Sequence, residues 1–264
     1  MVRSLYSAAS GMMAQQTNVD VIANNLANVN TIGYKSQSAE FKSLLYQDLQ
    51  AKTTSANGEN KPVSAQVGLG SRISSITSHY TQGSANATDG TTDFLFAIEN
   101  IDGNVYYTRN GNFFLSVDTE GTVLCTAEGY PVLSSEGQPI VLDPQYQSTK
   151  ITVDGDGNIC YPDESNNAQP IGIKIGLYQF PNPSGLTKVG NSYLAESDAS
   201  GTAINEEDGV VSKSKLKQGY LESSNVNVAT EMVNLITAQR AYELCSKAIT
   251  TSDTMMEQAN NLKR

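Results

Sequence analysis

The last forty residues carry the longest regular hydrophobic pattern in the chain. Residues 223–264 contain neither proline nor glycine, and their apolar residues recur at alternating steps of three and four. This period predicts an amphipathic helix with a heptad stripe. Asn227 is placed to cap its start, and Glu231 falls in the first turn, where the helix dipole favours an acid. The stripe consists of Leu235, Ala238, Tyr242, Cys245, Ile249 and Met256, with Ser252 as its polar member.

A second apolar stripe runs beside the first on the same predicted helix. It consists of Val233 or Ile236, followed by Ala241, Leu244, Ala248 and Met255. A helix on the surface of a globular domain needs only one apolar face. We therefore expect this helix to have neighbours on two sides.

The N-terminal segment shows the same spacing and predicts a second long helix. Its stripe includes Leu5, Met12, Val19 and Leu26, and the turn-forming residues from Asn28 onwards end it. We expect the two terminal helices to pair as a coiled coil. Such a pair within one molecule would cover much of both stripes. The wide apolar faces at both chain ends nevertheless favour assembly with further copies.

The middle of the chain has a β pattern. From residue 93 to about 196, short apolar runs alternate with turn signals such as Asp102-Gly103 and Asn110-Gly111. An Asx-Gly pair between alternating runs is typical of a β-hairpin. The segment therefore predicts a mainly antiparallel β domain inserted between the terminal helices, and the fold class is α+β.

The residues between the first helix and the β domain are less regular. We predict a short helix over 36–50, carrying Phe41, Leu44 and Leu45, then a polar loop or extended arm over 51–65. A short strand is predicted from Val67 to Ile76. The predicted domains are a terminal helical domain of 1–35 and 220–264, a connecting segment of 36–92 with its extended polar stretch, and a β-rich outer domain of 93–219.

Charge and hydropathy exclude several classes of function. The formal net charge is −10 and no basic cluster occurs, which argues against a nucleic-acid partner. No run approaches the ~20 apolar residues that a membrane helix needs, so no membrane insertion is predicted. The N-terminus also lacks the continuous apolar core of a cleavable signal peptide.

Few residues suggest catalysis or metal binding. The single histidine, His79, has no evident catalytic partner. Asp154 and the acidic turn after it resemble a calcium loop, but Ile159 stands where the loop needs glycine and Ser165 where it needs a bidentate glutamate. We therefore predict no catalytic residue, no metal and no cofactor. Scattered carboxylates leave open an enzyme that cleaves carbohydrate with two acidic groups.

Three cysteines, Cys125, Cys160 and Cys245, match no zinc-binding spacing. The first two lie in strand-like runs, and the third lies on the heptad stripe. We expect all three to be buried as small apolar residues. A disulfide between Cys125 and Cys160 remains open, because pairing depends on geometry.

Both ends of the chain resemble one protein family. Residues 23–35 (ANNLANVNTIGYK) resemble the signature that opens bacterial flagellar rod and hook proteins, residues 4–18 fit the helix before it, and residues 219–243 are similar to the family's closing motif. The resemblance covers nearly the whole chain, although the middle is weaker. The residues that carry it include Asn24, Asn25, Asn28, Gly33, Tyr34, Asn225, Val226, Gln239, Arg240 and Tyr242.

Within this family the chain is most similar to the distal rod type. Its length agrees, and the polar stretch after Gln50 resembles an insertion that distal rod proteins carry. One departure is that Ala97-Ile98 runs directly into Glu99-Asn-Ile-Asp-Gly103, so that a strand usual in the family is shortened or lost.

The resemblance implies a structural role. Such proteins polymerise helically into the rod that transmits torque from motor to hook, with terminal helices as the inner tube and the β domain outside. Implied partners are further copies of the chain, proximal rod and hook proteins, the periplasmic and outer-membrane rings, and the flagellar type III apparatus, which exports the chain without a cleaved signal. The implied location is the periplasm-spanning rod of the basal body.

Three alternatives remain open at this point. A proximal rod or hook protein would carry the same terminal motifs. An exported peptidoglycan-active enzyme would act in the same compartment and would need a cleft with two carboxylates. A self-contained soluble binding module would keep both helices ordered as a monomer.

Overall fold

The computed structural model describes residues 2–50, 65–83, 95–99, 103–118, 121–147, 150–163 and 167–262. The fold is α+β, and every strand pairing within these ranges is antiparallel. The chain divides into two compact units. Unit 1 comprises Met1–Ala27, Gln37–Ser78 and Asn227–Arg264, and unit 2 comprises Asn28–Ser36 and His79–Val226.

Unit 1 contains the two predicted helices, α1 (Val2–Ala27) and α2 (Val228–Asn261). The predicted cap of α2 is confirmed, because the Asn227 side chain accepts a hydrogen bond from the Thr230 amide at 3.2 Å. Glu231 lies in the first turn, as expected. Neither helix, over the residues described, combines the length and apolar character needed to cross a membrane.

The described residues of unit 1 also form four strands, and the first two replace the helix predicted over 36–50. They are β1 (Gln37–Ser43), β2 (Tyr46–Gln50), β3 (Ala65–Gly68) and β4 (Ser71–Ser78). β1 pairs with β4, and β2 pairs with β3. The single strand predicted from Val67 to Ile76 is instead two strands, because β3 ends at Gly68, β4 begins at Ser71, and each pairs with a different partner.

The helix was predicted because Phe41, Leu44 and Leu45 have the spacing of one helical turn. Phe41 and Leu45 are both largely exposed, the latter at 81%, so no apolar face is buried here. The backbone groups are satisfied by the β1–β4 ladder instead. The predicted arm over 51–65 lies outside the described residues, except for Ala65 at the start of β3.

Unit 2 is built from short strands, as the turn signals predict. Its largest sheet has six strands in the order β14-β15-β6-β5-β13-β16, and two three-stranded sheets have the orders β7-β8-β9 and β10-β11-β12. The strands are β5 (Leu95–Glu99), β6 (Val105–Thr108), β7 (Phe114–Asp118), β8 (Gly121–Cys125), β9 (Val141–Leu142), β10 (Thr152–Val153), β11 (Asn158–Pro162), β12 (Ala168–Lys174), β13 (Leu177–Gln179), β14 (Thr187–Gly190), β15 (Tyr193–Ala195) and β16 (Ile204–Asn205).

The core of unit 2 is closely packed. Its central side chains are Ile98, Val132, Ile140, Leu142 and Ile159, none more than 2% exposed. Cys125 and Cys160 are buried as free thiols, so the disulfide left open by the sequence is not formed, whereas Cys245 is only partly buried. Burial raises the pKa of the Cys160 thiol. The described residues of unit 2 thus form buried apolar clusters of their own.

Candidate functional site

The helix pair of unit 1 is the first candidate site. α1 and α2 run antiparallel, because Ser4 Oγ lies 3.4 Å from Ser252 Oγ, while Asn25 Nδ2 donates to Glu231 Oε2 at 3.2 Å. Between these pairs, a methyl group added at Gly11 would lie 3.2 Å from Cys245 Sγ. The contact positions step by seven residues along each helix.

The predicted heptad stripe of α2 lies on the side that faces α1. Ala238 is its most buried member, and Tyr242, 39% exposed, is its least buried. The other members, Leu235, Cys245, Ile249 and Met256, are partly buried. The structure thus brings this stripe together along one side of α2.

The predicted stripe of α1 lies one residue away from the contact positions Ser4, Gly11 and Asn25. Its members Leu5, Met12, Val19 and Leu26 are partly buried. The most buried positions of α1 are instead Ala14, Val21, Ile22 and Asn25. Sequence reasoning missed the first three of these. The small residues Ser4 and Gly11, seven apart, were the available signal for close helix contact.

The second stripe of α2 is exposed within the chain. Val233, Ile236, Leu244 and Met255 are each more than half accessible to solvent. Val233, Leu244 and Met255 recur every eleven residues, which is close to three helical turns. One face of α2 is therefore packed on α1, and another is an uncovered apolar surface. Exposed apolar side chains that repeat along one side of a helix offer a surface for interaction.

Asn25, one of the signature residues, is almost fully buried and fixes the start of β1. Its Oδ1 accepts from the Gln37 amide at 2.9 Å, and its Nδ2 donates to the Gln37 carbonyl at 2.8 Å. One side chain thus satisfies both backbone groups of Gln37, as a neighbouring strand would. Asn24, the preceding residue, is exposed.

Unit 2 contains a separate candidate site, a buried carboxylate with two cations. Glu222 Oε1 lies 2.8 Å from Lys35 Nζ, and Glu222 Oε2 lies 2.5 Å from Arg109 Nε. The Gly83 amide also donates to Glu222 Oε1, at 2.9 Å. All three charged side chains are buried. A buried charge is tolerated only when it is paired and hydrogen-bonded, as this one is.

The surroundings of Glu222 favour its ionised form. Burial alone would raise the pKa of its carboxyl group. The Arg109 charge and the hydrogen bonds from Lys35, Arg109 and Gly83 outweigh that effect and lower the pKa below its ordinary value. Sequence reasoning missed this cluster, because its members are far apart in the chain.

The signature glycine, Gly33, lies against the same cluster. Its amide donates to the Glu222 carbonyl at 2.9 Å. Its φ is +68°, and an added Cβ would lie 3.0 Å from the backbone carbon of Arg109. Glycine is therefore required here both by backbone conformation and by space. Just before it, Asn28 forms a turn by accepting from the Thr31 hydroxyl at 3.1 Å.

Asn225 joins the same region of unit 2 through its side chain. Its Oδ1 accepts from the Ser36 amide at 2.7 Å, and its Nδ2 donates to the His79 carbonyl at 2.8 Å. The backbone amide of Asn225 also donates to the carbonyl of Tyr34 at 3.4 Å. Tyr34 and the next signature residue, Val226, are both partly buried. The signature residues of 28–36 and 222–226 thus meet in one place.

The remaining signature residues, Gln239 and Arg240, are exposed on α2. Arg240 pairs with Glu243 at 3.0 Å, and a pair so accessible to solvent contributes little stability. The structure therefore leaves both residues accessible from outside unit 1.

The described residues contain no group of three or more acidic, histidine or cysteine side chains that could hold a metal ion. A cavity of about 150 Å³ in unit 2 has apolar walls that include Phe96, Phe113 and Leu216. Among its described lining residues Glu222 is the single acid, and both of its oxygens are engaged by cations. Two carboxylates acting on a glycosidic bond would need a different arrangement.

Comparison with known proteins places these segments in a family. Residues 5–35 match the family described as flagella basal body rod protein, residues 92–161 match the flagellar hook protein FlgE/F/G D1 domain, and residues 217–262 match the flagellar basal body rod FlgEFG protein C-terminal family. The flagellar basal-body rod protein FlgG of Borreliella burgdorferi is 41% identical, over 100% of both chains. The chain belongs to the FlgG family of flagellar basal-body rod proteins.

Two proteins of Bacillus subtilis resemble this FlgG-family chain to different degrees. The flagellar basal-body rod protein FlgG of that organism is 38% identical over 100% of both chains. The flagellar hook-basal body complex protein FlhP is 31% identical, also over 100% of both chains. The three matched regions supply Lys35, Arg109 and Glu222 respectively, so each contributes one side chain to the buried ion cluster.

Proposed function

We propose that this chain is a structural, non-enzymatic subunit of the bacterial flagellar basal body that polymerises helically with further copies into the distal rod. The observation that carries the proposal is the exposed stripe of α2. One face of this helix already packs on α1, while Val233, Leu244 and Met255 remain uncovered along its length. Fully burying one such side chain contributes about 1.5–3 kcal/mol, so burial of this stripe would stabilise association with further copies.

The pairing of α1 and α2 is proposed to be an antiparallel coiled coil. Contacts at Ser4, Gly11 and Asn25 are separated by seven and by twice seven residues, and their partners on α2 have the same spacing. A step of seven is the period of a left-handed coiled coil. The predicted faces of both helices then become assembly surfaces once further copies surround the pair.

The distal rod type is favoured over a proximal rod or hook protein. Support comes from the greater identity to the FlgG of Bacillus subtilis than to its FlhP. In that role the chain would transmit torque from motor to hook. Its partners would be proximal rod and hook proteins, the periplasmic and outer-membrane rings, and the type III apparatus that exports it without a cleaved signal.

A contact that does not close on itself produces a filament. The exposed stripe of α2 and the packed stripe differ in sequence and in period, so a second copy placed on the exposed stripe meets a new surface and leaves its own stripe open. Repetition of this contact extends the assembly, which is the behaviour required of a rod subunit.

The proposal is tested by placing a charge on the exposed stripe. Leu244→Asp should prevent rod formation, because an aspartate would be buried at the interface between copies. Thr250→Asp is the matched control, since it adds the same charge at an exposed position of α2 away from both stripes. Basal bodies would be isolated from cells that carry either variant as their sole copy and examined by electron microscopy.

The monomers must remain folded for this comparison to be decisive. Circular dichroism of both purified variants is expected to match that of the parent protein. Rods of normal length with Leu244→Asp would contradict the proposal. Leu235→Asp and Tyr242→Asp, on the packed stripe, are expected to abolish assembly while unit 2 stays folded.

A further inference from the structure

Glu222 connects several segments of unit 2 through ion pairs and hydrogen bonds. Its carboxylate binds Lys35 from the segment that follows α1, Arg109 from the β domain and the amide of Gly83. Its backbone carbonyl accepts from the amide of Gly33. One buried residue therefore holds three segments of sequence to the segment that precedes α2.

All of these contacts lie within unit 2, which contains 28–36 and 79–226. None of the atoms involved belongs to α1 or α2. Asn225 strengthens the same arrangement, because its side chain bonds to Ser36, His79 and Thr81. The attachment of both terminal segments therefore has its own set of bonds, separate from those that pair the helices.

We propose that Glu222 is a latch that keeps the inner ends of both terminal segments attached to the β domain when α1 and α2 are not formed. Lys35 and Gly33 are held on one side, and Asn225 follows three residues later on the other. With the latch closed, 29–36 and 222–226 stay fixed while the helices remain free to fold upon a neighbouring copy. The latch goes beyond the proposed assembly and could fail without affecting it.

Hydrogen exchange of the full chain, measured by mass spectrometry, tests the latch. Ala238→Pro breaks α2 at its buried contact with α1, because proline removes a helical hydrogen bond and clashes with the preceding turn. We expect faster exchange in both helices and unchanged protection of peptides spanning 29–36 and 79–83. Loss of protection in these peptides would overturn the proposal, since the attachment would then depend on the helices.

Two latch variants complete the experiment. Glu222→Gln should increase exchange in 29–36 and 79–83 by about tenfold or more, because both cations lose their buried counter-charge. Unchanged exchange would overturn the latch. Lys35→Met removes the bonds from Lys35 Nζ to Glu222 Oε1 and to the Thr81 carbonyl, and it leaves the Arg109 pair in place. It should increase exchange in 29–36, with a smaller increase in 79–83, where the Gly83 bond to Glu222 and the Asn225 bonds to His79 and Thr81 remain.

Lys35→Met also tests the latch if Glu222→Gln fails to fold. Continued protection of 29–36 in that variant would contradict the latch. Glu207→Gln serves as the matched control, because Glu207 pairs with Lys174 at 2.9 Å in a solvent-exposed position of the same unit. Its exchange in both peptides is expected to equal that of the parent. A release equal to that of Glu222→Gln would show a general loss of stability and would overturn the specific role of Glu222.

Discussion

The helix pair of unit 1 and the β core of unit 2 bury their apolar residues to very different degrees. In unit 2, Ile98, Val132 and Ile140 are almost completely enclosed by their own chain. In α2, by contrast, Ala238 is the only buried residue among 34. The described residues of unit 2 therefore bury their apolar core within one molecule, whereas α2 retains exposed apolar side chains.

This difference separates folding from assembly within one chain. A β core that is complete by itself can form in the free subunit. A helix whose second stripe has no cover gains its full stability only when further copies are present, because association stabilises the state that binds. Unit 2 can thus be folded in the monomer, whereas α2 would gain its full stability on assembly.

The largest expected effect comes from removing a core side chain of unit 2. Ile98→Ala should lower the free energy of unfolding by about 4 kcal/mol, because it leaves a cavity in a well-packed interior. Leu244→Ala, on the exposed stripe, should change the monomer by less than about 0.5 kcal/mol. The chain has no tryptophan, so urea unfolding would be followed by circular dichroism and tyrosine signals. Equal losses in the two variants would remove the distinction between the units.

A second effect concerns acid and should be confined to unit 2. The pKa of Glu222 is lower in the folded protein than its ordinary value of 4.5, so the unfolded chain binds more protons in this range. The contribution of Glu222 is therefore present above about pH 4.5 and is lost as the pH falls through the folded pKa. Glu222→Gln should cost about 3 kcal/mol at neutral pH and flatten the acid dependence.

Urea unfolding at a series of pH values measures this dependence. Glu207 provides the comparison, because its pKa is also lowered, first by the hydrogen bond from Lys174, but its side chain is exposed. An exposed pair contributes little, so Glu207→Gln should leave the acid dependence nearly unchanged. An acid dependence that survives intact in Glu222→Gln would refute the assignment to the buried cluster.

The smallest expected effect distinguishes two glycines of unit 2. Gly33 and Gly137 both have positive φ, at +68° and +78°. Alanine at Gly137 meets nothing within 4 Å and should cost about 1 kcal/mol through its backbone conformation alone. Alanine at Gly33 also presses on the Arg109 backbone and should cost about 2 kcal/mol or more. Thermal unfolding of both variants measures the difference, and identical melting temperatures would show that the close contact at Gly33 relaxes freely.

Local patterns predicted most of the secondary structure. The uninterrupted period of the last forty residues and the cap at Asn227 located α2 almost to the residue. Asx-Gly turns such as Asn110-Gly111 located the β region. The hairpin after Gly33 was missed, because a strand exposed on both faces carries no alternation of apolar and polar residues.

The buried ion cluster could not be found from sequence in the same way. Lys35, Arg109 and Glu222 lie in three separate motifs, and charged residues at such distances are far more often solvated than buried. Their meeting depends on the folded path of the whole chain. Gly33 and Asn225 were recognised through family resemblance, but their physical roles became evident only from backbone angles and hydrogen bonds.

Gly11 limits how far the two helices can slide along each other. A slip of one turn, about 5.4 Å, would bring Ile249 or Ala241 towards the position now held by Cys245, and it would separate Asn25 from Glu231. The isoleucine is bulkier than the cysteine, whose sulfur is close enough that a Cβ added at Gly11 would lie 3.2 Å from it. The close approach at Gly11 and the Asn25–Glu231 hydrogen bond therefore favour one overlap of α1 and α2. In the proposed assembly, every copy would present that same overlap.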